Sequence, residues 1–199
     1  LVVGALAAVV IALLPFALDG YHEGLASRVA IYFIAILGLN ILTGYTGQIS
    51  IGHGAFMAIG GYTTAVMSHY HHTNLVATLP MAFATAFVCG VVVGIPALRF
   101  SGVYLALATF ALAVSVPQFA LKFSKFLGAR NGLQTSQTVT HEWLYIVSWT
   151  SAAILFGVAW LLLRGRTGRA VRAGRDSELA AVSTGISLPI YKVLAFGVS

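Results

Sequence analysis

The chain has 199 residues, 59% of them hydrophobic and 8% charged, where a soluble domain carries roughly 25% charged residues. With a mean hydropathy of +0.92, water is excluded as its main solvent. The formal charge of +6 and pI near 9.8 do not indicate a nucleic-acid partner, because the positive residues gather at the ends of apolar segments, where they report orientation in a lipid bilayer.

A bilayer core takes about 20 largely apolar residues per helix. Breaks at charges, Pro and Gly predict helices at 1–18, 26–43, 49–68, 75–98, 103–121 and 143–163, with a seventh beginning near 190. The fold class is therefore all-α: a polytopic transmembrane helix bundle of about six helices plus the start of a seventh. Residues 1–18 lack the basic lead-in and A-x-A-like exit of a secretory signal and read as a membrane helix. The chain opens without Met and stops inside the apolar run Ile190 to Ser199, so residues 1–199 read as an incomplete transmembrane domain, a fragment of a longer protein. Cys89, the one cysteine, allows neither a disulfide framework nor a cysteine-based metal site and reads as a packing residue.

The connection from Arg164 to Lys192 carries Arg166, Arg169, Arg172 and Arg175 against only Asp176 and Glu178, which makes it the cytoplasmic end. Counting back places Arg99–Gly102 inside, and both Asp19–Arg28 and the histidine-rich turn 68–74 outside. Lys122, Lys125 and Arg130 then fall outside, against the charge rule. His69, His71 and His72 in that turn read as solvated side chains, and no metal site is expected. Gly90 and Gly94 form a GxxxG pair suited to close helix packing within the chain. Trp143 and Trp160 read as interfacial anchors.

The run "NILTGYTGQISIGHGAFMAIGGY" sets Asn40, Thr43, Tyr45, Thr46, Gln48, Ser50 and His53 among glycines at membrane depth. Polar side chains there point to a bundle interior or a pathway, and irregular backbone survives only when buried or lining a cavity. Asn40, Thr43, Tyr45, Gln48, Ser50 and His53 are accordingly candidate substrate-pathway residues. The glycines serve helix packing equally well, as a pair such as Gly54 and Ala58 often does. For Gln48, Ser50 and His53 taken together, the pathway reading is ahead. A broken helix could offer N–H groups to a substrate carboxylate beside apolar side chains.

The stretch 164–192 is too charged to span. Helix formers predict a helix from near Arg169, with Gly185 and Pro189 as stop signals. On one continuous helix Arg172 would pair with Asp176 and Arg175 with Glu178, while Val171, Leu179, Val182 and Ile186 would form a partial apolar stripe. A lipid-side anchor needs only the arginines; a coupling helix seated in a partner's groove would use the stripe. The order Glu178, Ala180, Ala181, Gly185 resembles the EAA-type loop of bacterial ABC importer permeases, with Leu179 inserted before the alanine pair.

Together, "LNILTGYTGQISIGHGAF", "SGVYLALATFALA", "GARNGLQ" and "GRAVRAGRDSELAAVSTGISLPIYKVLAFGVS" resemble the permease subunits of branched-chain amino acid ABC importers from about residue 33 onward. The resemblance implies a multi-pass protein of the bacterial inner membrane that works with ATP-binding subunits, a second permease subunit and an external substrate-binding protein delivering leucine, isoleucine or valine, or a related small solute. It assigns ATPase coupling to segment 164–189, with Arg169, Arg172, Arg175, Asp176, Glu178, Ala180, Ala181 and Gly185. The chain has no G-x-x-x-x-G-K-[ST] loop, so no cofactor is expected on it, ATP being used by the partner, and no catalytic residue is assigned. The rival readings are a secondary transporter or channel, which needs no docking helix, and an intramembrane hydrolase with Ser50 as nucleophile and His53 as base. GQISIG, however, is not G-x-S-x-G, and no orienting acid is apparent.

Overall fold

A computed structural model describes residues 19–100, 102–123, 127, 133 and 139–199. The expected helix 1–18 and the "GARNGLQ" loop, apart from Leu133, lie outside the described residues. Regular structure among those described is entirely helical. In chain order it comprises α1 (Gly20–Leu39), a π-helical turn (Asn40–Tyr45), α2 (His53–His71), α3 (Leu75–Ala97), α4 (Val103–Lys122), α5 (His141–Arg164), α6 (Arg166–Asp176), α7 (Glu178–Ser183) and α8 (Leu188–Val198).

Four of these elements are long and apolar enough to cross a bilayer: Gly20–Tyr45, Leu75–Ala97, Val103–Lys122 and His141–Arg164. The first begins six residues before its expected start at 26, since Asp19 precedes it and Glu23 occupies its first turn, where negative charge suits the helix N-terminus. The expected span 49–68 instead begins at His53. Its histidines, threonines and glycines keep it outside the strongly apolar set, although it is returned antiparallel by the short 72–74 turn into α3. Asn74 and Thr140 cap α3 and α5 through side-chain oxygens that accept from Val76 N–H (3.2 Å) and Trp143 N–H (3.4 Å).

The relative directions follow from contacts at the helix ends. A Cβ placed on Gly24 would lie 3.2 Å from the His141 ring, while Arg175, beyond α5, donates to the Gly44 carbonyl at 2.8 Å. Helices α1 and α5 thus run parallel, with Phe33 and Phe156 6.1 Å apart between them. One end of the bundle then collects Arg99, Arg164, Arg166, Arg169, Arg172 and Arg175; the other holds Asp19, Glu23, Arg28, Lys122 and Glu142. This is the grouping of ends expected from charge, including the unfavoured placement of Lys122.

The interior is built from small residues. Helix α8 lies antiparallel against α3 at the predicted GxxxG pair: a Cβ on Gly90 would meet the Phe196 carbonyl oxygen at 2.6 Å, and one on Gly94 would meet Phe196 Cβ at 3.1 Å. Leu42, Ala97, Leu105, Ala195 and Phe196 close the core beside this contact. By contrast, a Cβ on Gly54 would meet nothing within 4 Å among the described residues, so Gly54 makes no such close helix contact there. Because van der Waals fit drives helix association in lipid, Gly90→Ala is expected to destabilise the protein by about 1–3 kcal/mol through overpacking. Gly157→Ala, on an open face of α5, should stay within about 0.5 kcal/mol of the parent. Thermal unfolding in detergent checks both.

Candidate functional site

Helix α1 ends irregularly. It passes through the π-helical turn 40–45, in which the Thr46 N–H reaches back to Ile41 O at 3.3 Å, and Gln48 N–H bonds Leu42 O at 3.1 Å. Gly47 then takes φ +70°, open to glycine at no steric cost, and the chain runs without regular structure until α2 starts at His53. This stretch turns back into the slab. A Cβ on Gly38 would lie 3.2 Å from His53 Nε2, and Gly38 is seven residues, about 10 Å of helix rise, inside Tyr45.

Backbone groups at such depth need partners within the protein. On its far side the stretch finds them on α4: Ile51 N–H donates to Thr109 Oγ1 at 3.0 Å. A Cβ on Gly52 would come within 3.0 Å of both Thr109 Cβ and its carbonyl oxygen, so only glycine lets the two backbones meet. Gly52 N–H donates to Ser50 Oγ at 3.3 Å. On the near side Thr43 Oγ1 donates to Leu39 O at 2.7 Å and Thr46 Oγ1 to Leu42 O.

The expected pathway residues separate into two groups. Gln48 and Ser50 are buried, at 9% and 5% exposure. Gln48 Oε1 is buried without a hydrogen bond among the described residues, while the His53 ring lies against the Ser199 backbone and stands edge-on to Phe56 at 6.5 Å. Asn40 is exposed and Thr43 half-buried; with Phe33, Ile36, Leu37, Leu39 and Phe156 they line an apolar groove between α1 and α5. The Asn40 carboxamide folds over Gly44, and Tyr45 lies beneath Arg172, whose guanidinium carbon is 5.8 Å from the ring centroid. Thr109 was not singled out from sequence. A lone threonine in "LALATFALA" looks like any small residue, and only the tertiary fold brings it to Ile51.

The segment 164–192 departs from the expected single helix. Its helix starts at Arg166 and breaks at Ser177, which is extended at φ −159° and ψ 112° and caps α7 by accepting from Ala180 N–H at 3.3 Å. The competing preference is that of serine for an N-cap over a helix interior. The break re-aims every charge beyond it. Arg172 donates to Gly168 O (3.1 Å) and Leu163 O (3.0 Å) instead of pairing with Asp176. Arg175 pairs with its neighbour Asp176 at 2.9 Å instead of Glu178, and Glu178 pairs with Lys192 at 2.5 Å. The apolar stripe is split as well: Val171 is buried, whereas Leu179 and Val182 are 87% and 59% exposed. Arg169 and Ala180 are exposed, Ala181 is buried, and Gly185 ends the segment at φ +81°. Pro189 opens α8 at its first turn, so the expected stop signal serves as a start.

Residues 21–199 match the family described as "Branched-chain amino acid transport system / permease component". The chain belongs to this family. The permease is 31% identical over 216 aligned residues to the high-affinity branched-chain amino acid transport system permease protein LivM of Escherichia coli (strain K12), an alignment covering 93% of this chain and 51% of LivM. It is 30% identical to LivM of Salmonella typhimurium (strain LT2), with the same coverage. The permease thus spans about half the length of the curated relatives it matches. No solved structure matches it. With its apolar helices, the chain is a multi-pass membrane protein of a transport-component family.

The Thr109 contact gives a direct test of how the break is held. Thr109→Val leaves the Ile51 N–H without its acceptor and should destabilise the permease by about 1–3 kcal/mol, whereas Thr109→Ser, which keeps the oxygen, should recover most of that. Chemical unfolding of the purified protein reads the difference.

Proposed function

We propose that the permease forms part of the translocation path of an ATP-driven importer of the bacterial inner membrane, with branched-chain amino acids as its substrate class. ATP-binding subunits dock at the arginine-rich end, a second permease subunit completes the path, and an external substrate-binding protein delivers the solute. What carries this reading is the glycine-broken stretch 46–52. It brings Gln48, Ser50 and His53 to membrane depth and leaves Gln48 Oε1 buried without a hydrogen bond among the described residues. Orphaned buried polar atoms are costly, and groups of this kind at this depth serve a passing polar solute.

The α7 segment supports the docking half of the proposal. Leu179 and Val182 project from the cytoplasmic end, beside exposed Arg169 and the Glu178–Lys192 pair. An amphipathic helical turn of this kind fits a partner's groove, and a lipid-side anchor would not need to present Glu178. A channel or secondary transporter would have no use for such a surface.

Reconstitution with the cognate ATP-binding subunits and binding protein tests both halves. Uptake of leucine into proteoliposomes should require ATP, and Gln48→Ala together with Ser50→Ala should lower it about tenfold, the equivalent of about 1.4 kcal/mol. Glu178→Arg should abolish co-purification of the ATP-binding subunit. ATP-independent uptake would contradict the proposal.

A further inference from the structure

Resting on that reading, we propose that Arg175 is a positioning residue that ties the cytoplasmic segment to the broken stretch, so that movement of α6 and α7 is delivered to residues 46–52. Three contacts meet at this one side chain. Its Nη1 donates to the carbonyl oxygen of Gly44, 131 positions earlier in the chain, at 2.8 Å. Its aliphatic stem covers Gly47, where a Cβ would lie 2.8 Å from Arg175 Cγ. Its Nε and Nη2 are held by Asp176 at 3.0 and 2.9 Å.

Each contact has a physical reason. Gly44 lies in the last turn of the α1 span, where carbonyls have lost their helical partners and the helix dipole is negative. A guanidinium meets both needs, and its planar fork can serve Gly44 and Asp176 together, which an ammonium cannot do in the same geometry. Gly47 is the hinge of the break at φ +70°, and the absence of a side chain there is what lets the arginine stem lie against the backbone.

The arrangement also gives the contact a direction. Arg172 fastens α6 to the end of α5 through Leu163 O, and a Cβ on Gly174 would collide with Leu188 of α8. Helix α6 therefore moves as a body with its neighbours. Only Asp176 and Ser177 separate Arg175 from α7, whose Leu179 and Val182 face outward. A push on α7 reaches residues 44–47 through Arg175, alongside the stacking of Arg172 on Tyr45 and the small cavity that Thr46 shares with Gly174, Leu188 and Lys192. An element that two sites bias is the physical requirement for coupling between them.

The test uses the complete reconstituted transporter in a Cys89→Ser background, with one cysteine introduced at Ile49→Cys, an exposed position in the break. The rate of thiol labelling is compared with and without a non-hydrolysable ATP analogue, in the Arg175, Arg175→Lys and Arg175→Ala forms. With Arg175, labelling should change about fivefold or more with nucleotide, a modest coupling by the usual scale. Arg175→Ala should erase the change and Arg175→Lys should keep only part of it, each form being compared at equal amounts of bound ATP-binding subunit. A nucleotide response that persists in both variants would overturn the proposal, because Arg175 would then be a static anchor. So would labelling that ignores nucleotide in the Arg175 form. Leucine uptake by that form, measured in the same vesicles, reads the transport assignment separately.

Discussion

In a lipid slab every backbone N–H and C=O must be satisfied from within the protein, and in this permease the heaviest demand falls on residues 44–52. The regular ladder stops there, yet the chain remains at membrane depth. Its polar groups are taken up one by one: by the π-helical turn for Thr46 and Gln48, by Thr109 for Ile51, by Ser50 for Gly52 and by Arg175 for Gly44. Two of these partners come from distant parts of the chain. The break is therefore held from α4 on one side and from α6 on the other.

That grip depends on glycine at particular points. Gly52 allows the approach of Thr109, and Gly47 supplies both the positive φ and the clearance for the Arg175 stem. Gly90 and Gly94 play a purely packing part, admitting α8 against α3. One residue type thus supports two different tasks in the same bundle, and neighbouring contacts, not composition, distinguish them.

Much of this was legible in the sequence. Apolar length set the α3, α4 and α5 spans to within two residues at each end, because few residues in them compete for another conformation. The arginine cluster set which ends lie together, and the polar, glycine-rich run at 40–53 marked the irregular stretch. What escaped was non-local or depended on one local competition. The Ile51–Thr109 and Gly44–Arg175 contacts join residues far apart in sequence that no periodicity connects. The preference of Ser177 for capping cut the predicted coupling helix in two and redirected Arg172, Arg175 and Glu178. Asn40 and Thr43 were grouped with Gln48 and Ser50 by proximity in sequence, whereas the turn between them sends the first pair toward the α1–α5 groove and the second inward.

For the proposed path to operate, the backbone around Gln48 and Ser50 must border water while lying within the bilayer. Spin labels placed singly at 48, 50 and 92 in the assembled transporter, with collision rates measured against oxygen and a water-soluble nickel chelate, test it most directly. Val92, exposed on the apolar face of α3, should respond to oxygen alone, whereas positions 48 and 50 should respond to the chelate. An oxygen-only response at all three positions would contradict the account.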